Sequence, residues 1–336
     1  MSTLNRQLLL KKRPTGLCTP GDLALHESPL AELQDGQALV RVKYLSIDPT
    51  MRVWMGERAT YLPAIPLGNV MRCFGFAEVI ESRHADFRPG DKVTGLVGMQ
   101  DYAFVGGKES GWFQKVPPIP GIPDSAFLGV LGITGLTAYF GVTEVAKPVN
   151  GETLVVSAAA GATGSIAGQI GKIHGCRVIG IAGADEKCRW LAEDLGFDAA
   201  INYKHPDWKE KLAAATPKGV DINFENVGGE IMHAVMGRMN LHGRVALCGL
   251  ISGYNQDEPT LENMSPVIIK RLRIQGFLIS DFAARFAEGA KQLAQWKMTG
   301  KLKDRETVID GLENGVNAIN MLFSGANSGK LIVKVA

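Results

Sequence analysis

The chain has 336 residues, longer than one ordinary domain, so two domains are expected, each large enough to bury a core. Hydrophobic residues make up 46% and charged residues 21%, and 36 Lys plus Arg against 34 Asp plus Glu leave a net charge of +2, too balanced for an electrostatic nucleic-acid binder. The five cysteines (Cys18, Cys73, Cys176, Cys188, Cys248) are odd in number and never spaced as a CxxC pair. Neither a disulfide framework nor a structural zinc site is therefore expected, and the chain reads as a reduced, cytoplasmic protein. The apolar run Leu8-Leu9-Leu10 is too short for a signal core, and no run reaches the length of a membrane span.

From Arg6 to about Pro120 the pattern is one of short strands between turn signals: RQLLLKK, ALVRVKYLSI, GFAEVIES, DKVTGLVG, DYAFV and FQKVP. From about Asp124 helical segments alternate with apolar strands, which predicts a right-handed βαβ array on a parallel sheet. SAFLGVLGITGLTAYFGVTEVA is expected as one glycine-rich bridging helix. After it CRVIGIAG, AAINY, VDINFENV, GRVALCGLI and RLRIQGFLI read as strands, with helices between them and an amphipathic helix over Phe282 to Met298. The closing GKLIVKV is a strand that the second sheet does not need. The expected division is thus 1–125 for the first domain, 126–310 for the second, and a return of about 311–336 to the first.

The stretch Glu152 to Gly175 organises the second domain. It reads as a buried strand, a small-residue turn and a helix ended by glycine. In the dinucleotide fingerprint GxGxxG the middle glycine admits a pyrophosphate to the backbone and the third lets helix and strand pack closely. Here Ala159, Gly161 and Gly164 hold the three places, with Ala162 and Thr163 between, and Thr163 and Ser165 are expected to face the phosphates. Small residues at this spacing also occur where a helix merely crosses a strand closely; the strand before and the helix and second strand after favour nucleotide binding. At the end of that second strand, where an NAD site places an acid, stands Ala182-Gly183. Asp185 comes late and Lys187 and Arg189 follow, which favours a ribose 2'-phosphate and hence NADP(H), with Asp185 capping its helix.

Several motifs in fixed order then carry a resemblance. Ile47-Asp48-Pro49 with Met51 and Arg52, the block LGVLGITGLTAYFG, the turn SAAAGATGS, NFENVGGE, CGLISGYN and GANSGKLIVKV together resemble the zinc-independent branch of the medium-chain dehydrogenase/reductase family. That branch contains prostaglandin reductases, plant alkenal double-bond reductases and bacterial curcumin reductases, and the resemblance runs nearly end to end. It implies an α/β protein: a Rossmann doubly wound parallel sheet plus a mostly β, GroES-like catalytic domain, with NADPH as cofactor and a homodimer as the assembly. No catalytic metal is implied, because Ser46-Ile47-Asp48-Pro49 occupies the place of the first zinc-ligating Cys; the six histidines show no metal spacing either.

By the same resemblance Tyr254 lies in a cleft near the substrate carbonyl, Lys187 and Tyr203 bind the 2'-phosphate side of NADP, Asn226 lies near the cofactor, and Asn327 meets its nicotinamide side. Thr50, Met51, Arg52 and Ser280 fall where the family lines its substrate pocket. Thr50 and Ser280 are smaller than the usual aromatic residues, which points to a wider or more polar pocket. The implied activity is hydride transfer to the β-carbon of an α,β-unsaturated ketone or aldehyde, with Tyr254 holding the enolate oxygen. Two alternatives stay open: a zinc-free NADPH quinone oxidoreductase and a non-catalytic NADPH-binding redox sensor. The partner is a small enone or enal, with no nucleic acid and no membrane.

Overall fold

In the computed structural model, which describes residues 3–57, 60–106, 112–256 and 263–336, the chain divides into two units, residues 1–128 with 306–336 and residues 129–305. The first unit opens on β1 (Leu4–Leu10), which pairs antiparallel with β2 (Leu23–Pro29). The sequence pattern missed β2, since LALHESP lacks a clean apolar alternation and stops at a proline. Next come β3 (Gln37–Ile47), the short helix α1 (Thr50–Trp54), β4 (Phe74–Ser82), β5 (Lys92–Leu96), β6 (Tyr102–Gly106) and β7 (Phe113–Lys115). Val40, Val42, Leu45 and Ile47 of β3 are sealed in a core shared with Met51, Met55, Met71 and Met99.

The second unit alternates strand and helix. The expected bridging helix is broken: a 3-10 turn at Asp124–Phe127, which belongs to the first unit, precedes α2 (Ile133–Phe140), and α2 passes into a π-helical segment at Gly141–Ala146. The break falls at Gly132, whose extended backbone starts α2. Then follow β8 (Thr153–Val156), α3 (Ala162–Ile173), β9 (Arg177–Ala182), α4 (Asp185–Arg189), β10 (Ala199–Asn202), α5 (Trp208–Ala215), β11 (Val220–Glu225), α6 (Gly229–Arg238), β12 (Met239–Leu247), α7 (Ser265–Ile269) and β13 (Arg273–Gly276). The helix expected over Phe282 to Met298 starts later, as α8 (Phe286–Met298), after a 3-10 stretch at Ile279–Arg285.

All six strands of this unit run parallel in the order β10-β9-β8-β11-β12-β13. The central strands are covered on both faces, so β8 is buried throughout and reads as an unbroken apolar run. The strand order reverses beside β8, between β8 and β11. Such a reversal opens a crevice at the carboxyl ends of the strands, where ligands of open α/β sheets bind.

The chain then returns to the first unit with β14 (Glu306–Asp310), α9 (Gly315–Ser324) and β15 (Lys330–Lys334). Its second sheet is ordered β14-β15-β3-β4-β5-β7, with β6 also on β3. The sequence division placed residues 306–310 with the second domain; here they form β14, whose register is fixed by parallel pairing with β15.

Candidate nucleotide and active site

The turn after β8 is built by backbone contacts. Ala158 adopts φ +47, a left-handed conformation that costs a residue with a Cβ about 1–2 kcal/mol. That twist aims its carbonyl at the start of α3, where it accepts the N–H of Gly161 at 2.9 Å. A Cβ on Gly164 would lie 2.5 Å from the same carbonyl oxygen, so this position admits no side chain. A Cβ on Gly161 would touch only its own turn, at 3.2 Å, and is otherwise in open space. The two glycines thus do different work: Gly164 lets helix and turn close up, and Gly161 leaves the approach to the helix N-terminus bare. Ala159 is fully buried and its N–H donates to Ile181 O, tying the turn to β9.

Ala162 and Thr163 begin α3, half-buried, beside amides that have no acceptor inside a helix. Ser165, expected to face the phosphates, is 1% exposed with its hydroxyl toward Ala162 O at 3.4 Å. It points along its own helix and offers nothing to a ligand.

At the end of β9 stands Gly183, where an acidic residue would hold ribose hydroxyls. Tyr203 lies over it: a Cβ on Gly183 would come within 3.0 Å of the ring and 3.2 Å of the phenol oxygen. Asp185 does not cap α4. The N-cap is Ala184, and the Asp185 carboxylate instead accepts from Asn202 Nδ2 and contacts His205 Nε2, both at 2.8 Å, which holds its pKa below the usual carboxylate value. The nearest acid is therefore engaged. Beside it Lys187 is pushed below the usual lysine pKa, first by burial and then by the charge of Lys204. Sequence reasoning missed Lys204, whose only signal was its place next to Tyr203. Two cations that raise each other's energy and an aromatic ring over a bare glycine fit a phosphate, not a hydroxyl pair.

The carboxyl ends of β8 and β11 are locked by a residue that sequence reasoning also missed. Glu225 is 0% exposed. Its Oε1 accepts from Ser157 Oγ (2.7 Å), Val227 N (2.7 Å) and Gly228 N (2.9 Å), and its Oε2 from Asn223 Nδ2 (2.8 Å). Burial raises its pKa above the ordinary value despite these donors. The same carboxylate, added to burial, pushes the thiol of Cys248 up to about 12. The available signal was an acid closing an apolar strand just before Val227-Gly228-Gly229. Asn226 completes the lock: its N–H donates to Ser157 Oγ at 2.8 Å and its Nδ2 to Ser157 O at 2.7 Å. Its amide thus shapes the crevice wall.

Tyr254 stands at this same end of the sheet. It follows the 3-10 turn Ile251–Gly253, is half-buried, and its phenol oxygen accepts from Leu250 N at 3.3 Å. A Cβ on Gly249 would lie 3.3 Å from that oxygen and 3.4 Å from Asn226 O, so the phenol reaches the wall because Gly249 has no side chain. The second unit therefore brings together Ala159, Gly161, Ala162, Thr163 and Gly164, sets Lys187 beside the charge of Lys204 and Tyr203 over Gly183, and places Asn226 and Tyr254 around Gly249. Ser280 lies on its exposed 3-10 stretch.

Within the first unit, Met51 is fully buried and offers no surface to a ligand. Arg52 donates to Gly16 O at 3.0 Å and Pro14 O at 2.8 Å, binding a loop to α1. The Thr50 hydroxyl meets the phenol of Tyr61, a partner that no motif announced. Asn327 is 8% exposed and its Nδ2 donates to Gly329 O at 3.2 Å. The segment before α1 is pinned by Lys330, whose buried ammonium donates to Ile47 O and Asp48 Oδ1, each at 2.9 Å, while Ser46 Oγ donates to Asp48 Oδ2. Among the described residues no group of three or more His, Cys, Asp or Glu is placed to hold a metal ion, and no helix is long and apolar enough to cross a membrane.

A glycine turn at the switch point of a parallel sheet, in one chain with a mostly antiparallel β unit, defines the Rossmann and GroES-like architecture of the medium-chain dehydrogenases. Family profiles agree: residues 6–113 match one described as the N-terminal domain of oxidoreductase, and residues 162–295 one described as zinc-binding dehydrogenase. The chain is 42% identical to the NADPH-dependent curcumin reductase of Escherichia coli over 99% of this chain and 97% of that protein. It is 38% identical to the NADP(+)-dependent 2-alkenal reductase of Nicotiana tabacum, over 99% and 98%. The structure of CurA from Vibrio vulnificus in complex with NADPH superposes with a TM-score of 0.92 at 41% identity, covering 98% of this chain and 99% of that one. The chain belongs to the medium-chain dehydrogenase/reductase family, in the branch of the curcumin and alkenal reductases.

Proposed function

We propose that this chain is an NADPH-dependent reductase of the C=C bond of α,β-unsaturated ketones or aldehydes. The observation that carries the reading is the Tyr254 phenol, held against Gly249 and the Asn226 carbonyl at the end of the sheet where the glycine turn also opens. The activities named for the curcumin and alkenal reductases support it. The bare Gly161 and the start of α3 would hold the pyrophosphate, with Ala159, Ala162, Thr163 and Gly164 shaping the turn; Lys187, Lys204 and Tyr203 would hold the 2'-phosphate. NADPH, when bound, supplies a hydride.

Tyr254 is assigned the enolate oxygen, and the proton that the α-carbon then needs comes from water. As the β-carbon accepts hydride, charge grows on the carbonyl oxygen, and a phenol donating to that oxygen lowers the barrier. Accepting from Leu250 N–H makes the phenol a stronger donor. Asn327 of the first unit is proposed as a nicotinamide contact, and Thr50 and Ser280 as pocket residues. The assembly is proposed to be a homodimer through the edge strand β13 and the neighbouring α7, on which Ile268 is 80% and Ile269 68% exposed.

The test is NADPH oxidation with a 2-alkenal, an aryl enone, a quinone and a saturated ketone. The expected result is turnover of the first two, reduced about 100-fold or more in kcat for Tyr254→Phe, the scale on which removal of an oxyanion donor acts. Turnover of the quinone alone would overturn the reading in favour of quinone reduction. Tight NADPH binding without turnover of any substrate would replace it with a binding role.

A further inference from the structure

In the first unit Arg72 stands half-buried between Met71 and Cys73, both 0% exposed. Met71 N–H donates to Leu8 O at 2.8 Å and Met99 N–H to Met71 O at 2.9 Å, so the backbone carrying the guanidinium is fixed. Its Cζ lies 5.6 Å from the centroid of the Trp54 indole. Trp54 is 5% exposed and donates Nε1–H to Tyr61 Oη at 3.2 Å, with the two rings edge to face. Tyr61 itself is 47% exposed.

This cation is poorly compensated. Its Nη1 is shut off from solvent and has no hydrogen-bond partner among the described residues. Burial pulls its pKa below the ordinary arginine value, and the influence opposing that shift is the Tyr61 phenol. An indole face tolerates a guanidinium but gives its N–H groups nothing to bond. A charged donor stripped of water without an acceptor is costly, and such a group calls for a missing acceptor. A single fork of donors matches one carboxylate; phosphate dianions are usually met by several cations. The open ring of Tyr61 adds an aromatic wall.

We propose that Arg72, Trp54 and Tyr61 form a seat for a small aryl carboxylate, with the carboxylate on the Arg72 fork and the ring against Tyr61. The seat stands whether or not the chain reduces enones. Calorimetric titration of the full chain with 3-phenylpropanoate and its uncharged amide tests it. The carboxylate is expected to bind about tenfold or more tightly than the amide. That ratio should collapse in Arg72→Met and return in part in Arg72→Lys, which keeps the charge and loses the fork. Thermal melts establish that each variant is folded; if Arg72→Met is not, Arg72→Lys and Tyr61→Ala carry the comparison, each expected to lower the affinity for the carboxylate. Equal affinity for the two probes, no binding of either, or an undiminished ratio in the folded variants would overturn the proposal.

Discussion

Replacing Glu225 tests whether the crevice wall depends on one carboxylate. Glu225→Ala removes the acceptor of four hydrogen bonds, from Ser157, Val227, Gly228 and Asn223, in a site with no access to water. At roughly 1 kcal/mol or more for each buried donor left unpaired, the loss is on the order of 4 kcal/mol. That is a large share of the roughly 5–15 kcal/mol that holds a domain folded. Glu225→Gln is expected to cost far less. It keeps the acceptor for Ser157 and the two backbone amides, and a half-turn of the Asn223 amide brings round its Oδ1, now buried without a partner, to accept from the new NH2.

The two residues also differ in pH dependence. The native pKa of Glu225 lies above its ordinary 4.5, so the folded state holds this proton more tightly than the unfolded chain. The stability so gained is complete below the ordinary carboxyl pKa and is lost as pH rises through the native value. Glutamine has no such titration. Urea unfolding from about pH 4 to about pH 9 should therefore show Glu225→Gln gaining on the wild type as pH rises. A constant difference over that range would refute the shifted carboxyl, and a loss below about 1 kcal/mol in Glu225→Ala would refute its role as the lock.

Lys187→Ala and Lys204→Ala should each weaken NADPH binding about 10- to 100-fold, the scale of a charge-assisted hydrogen bond, and leave NADH binding little changed. Equal losses for both nucleotides in titration calorimetry would move the 2'-phosphate elsewhere. Because Lys187 deprotonates at a lower pH than an ordinary lysine, NADPH affinity should also begin to fall earlier on the alkaline side than an unperturbed lysine would allow. Lys330→Met leaves Asp48 without its buried partner and should cost about 3–5 kcal/mol, whereas adding Asp48→Asn should restore part of it; additive losses in denaturant melts would deny the coupling. Ile268→Asp with Ile269→Asp should turn a dimer into a monomer by light scattering, and a monomeric wild type at micromolar concentration would remove the proposed interface.

The second unit was legible because covered parallel strands must be apolar on both faces and glycine marks each place where backbone approaches backbone. The run Thr153–Val156 and the glycines at 161 and 164 follow that rule directly. What escaped depends on long-range partners. Asp185 looked like a cap, and only the fold brings Asn202 and His205 to it. Glu225 looked like a strand-end acid, and its role appears once β8 delivers Ser157 to its side. Ser165 had the right spacing for a phosphate contact, but a helix turns about 100° per residue and its side chain falls on the inner face. In the first unit β2 was missed because an exposed, polar strand carries no periodicity of burial.

The place of β15 in the first unit's sheet, between β14 and β3, bears on how the molecule is made. Residues 129–305 leave the ribosome as one continuous stretch and can close their own core while synthesis goes on. Until residues 330–334 emerge, β3 waits with the edge that β15 will take still unpaired, and Asp48 waits without Lys330. The nucleotide unit is thus set to mature first, and the segment ahead of α1 is fastened among the last steps of folding. An unpaired strand edge held open through that interval is where wrong strand pairing would start.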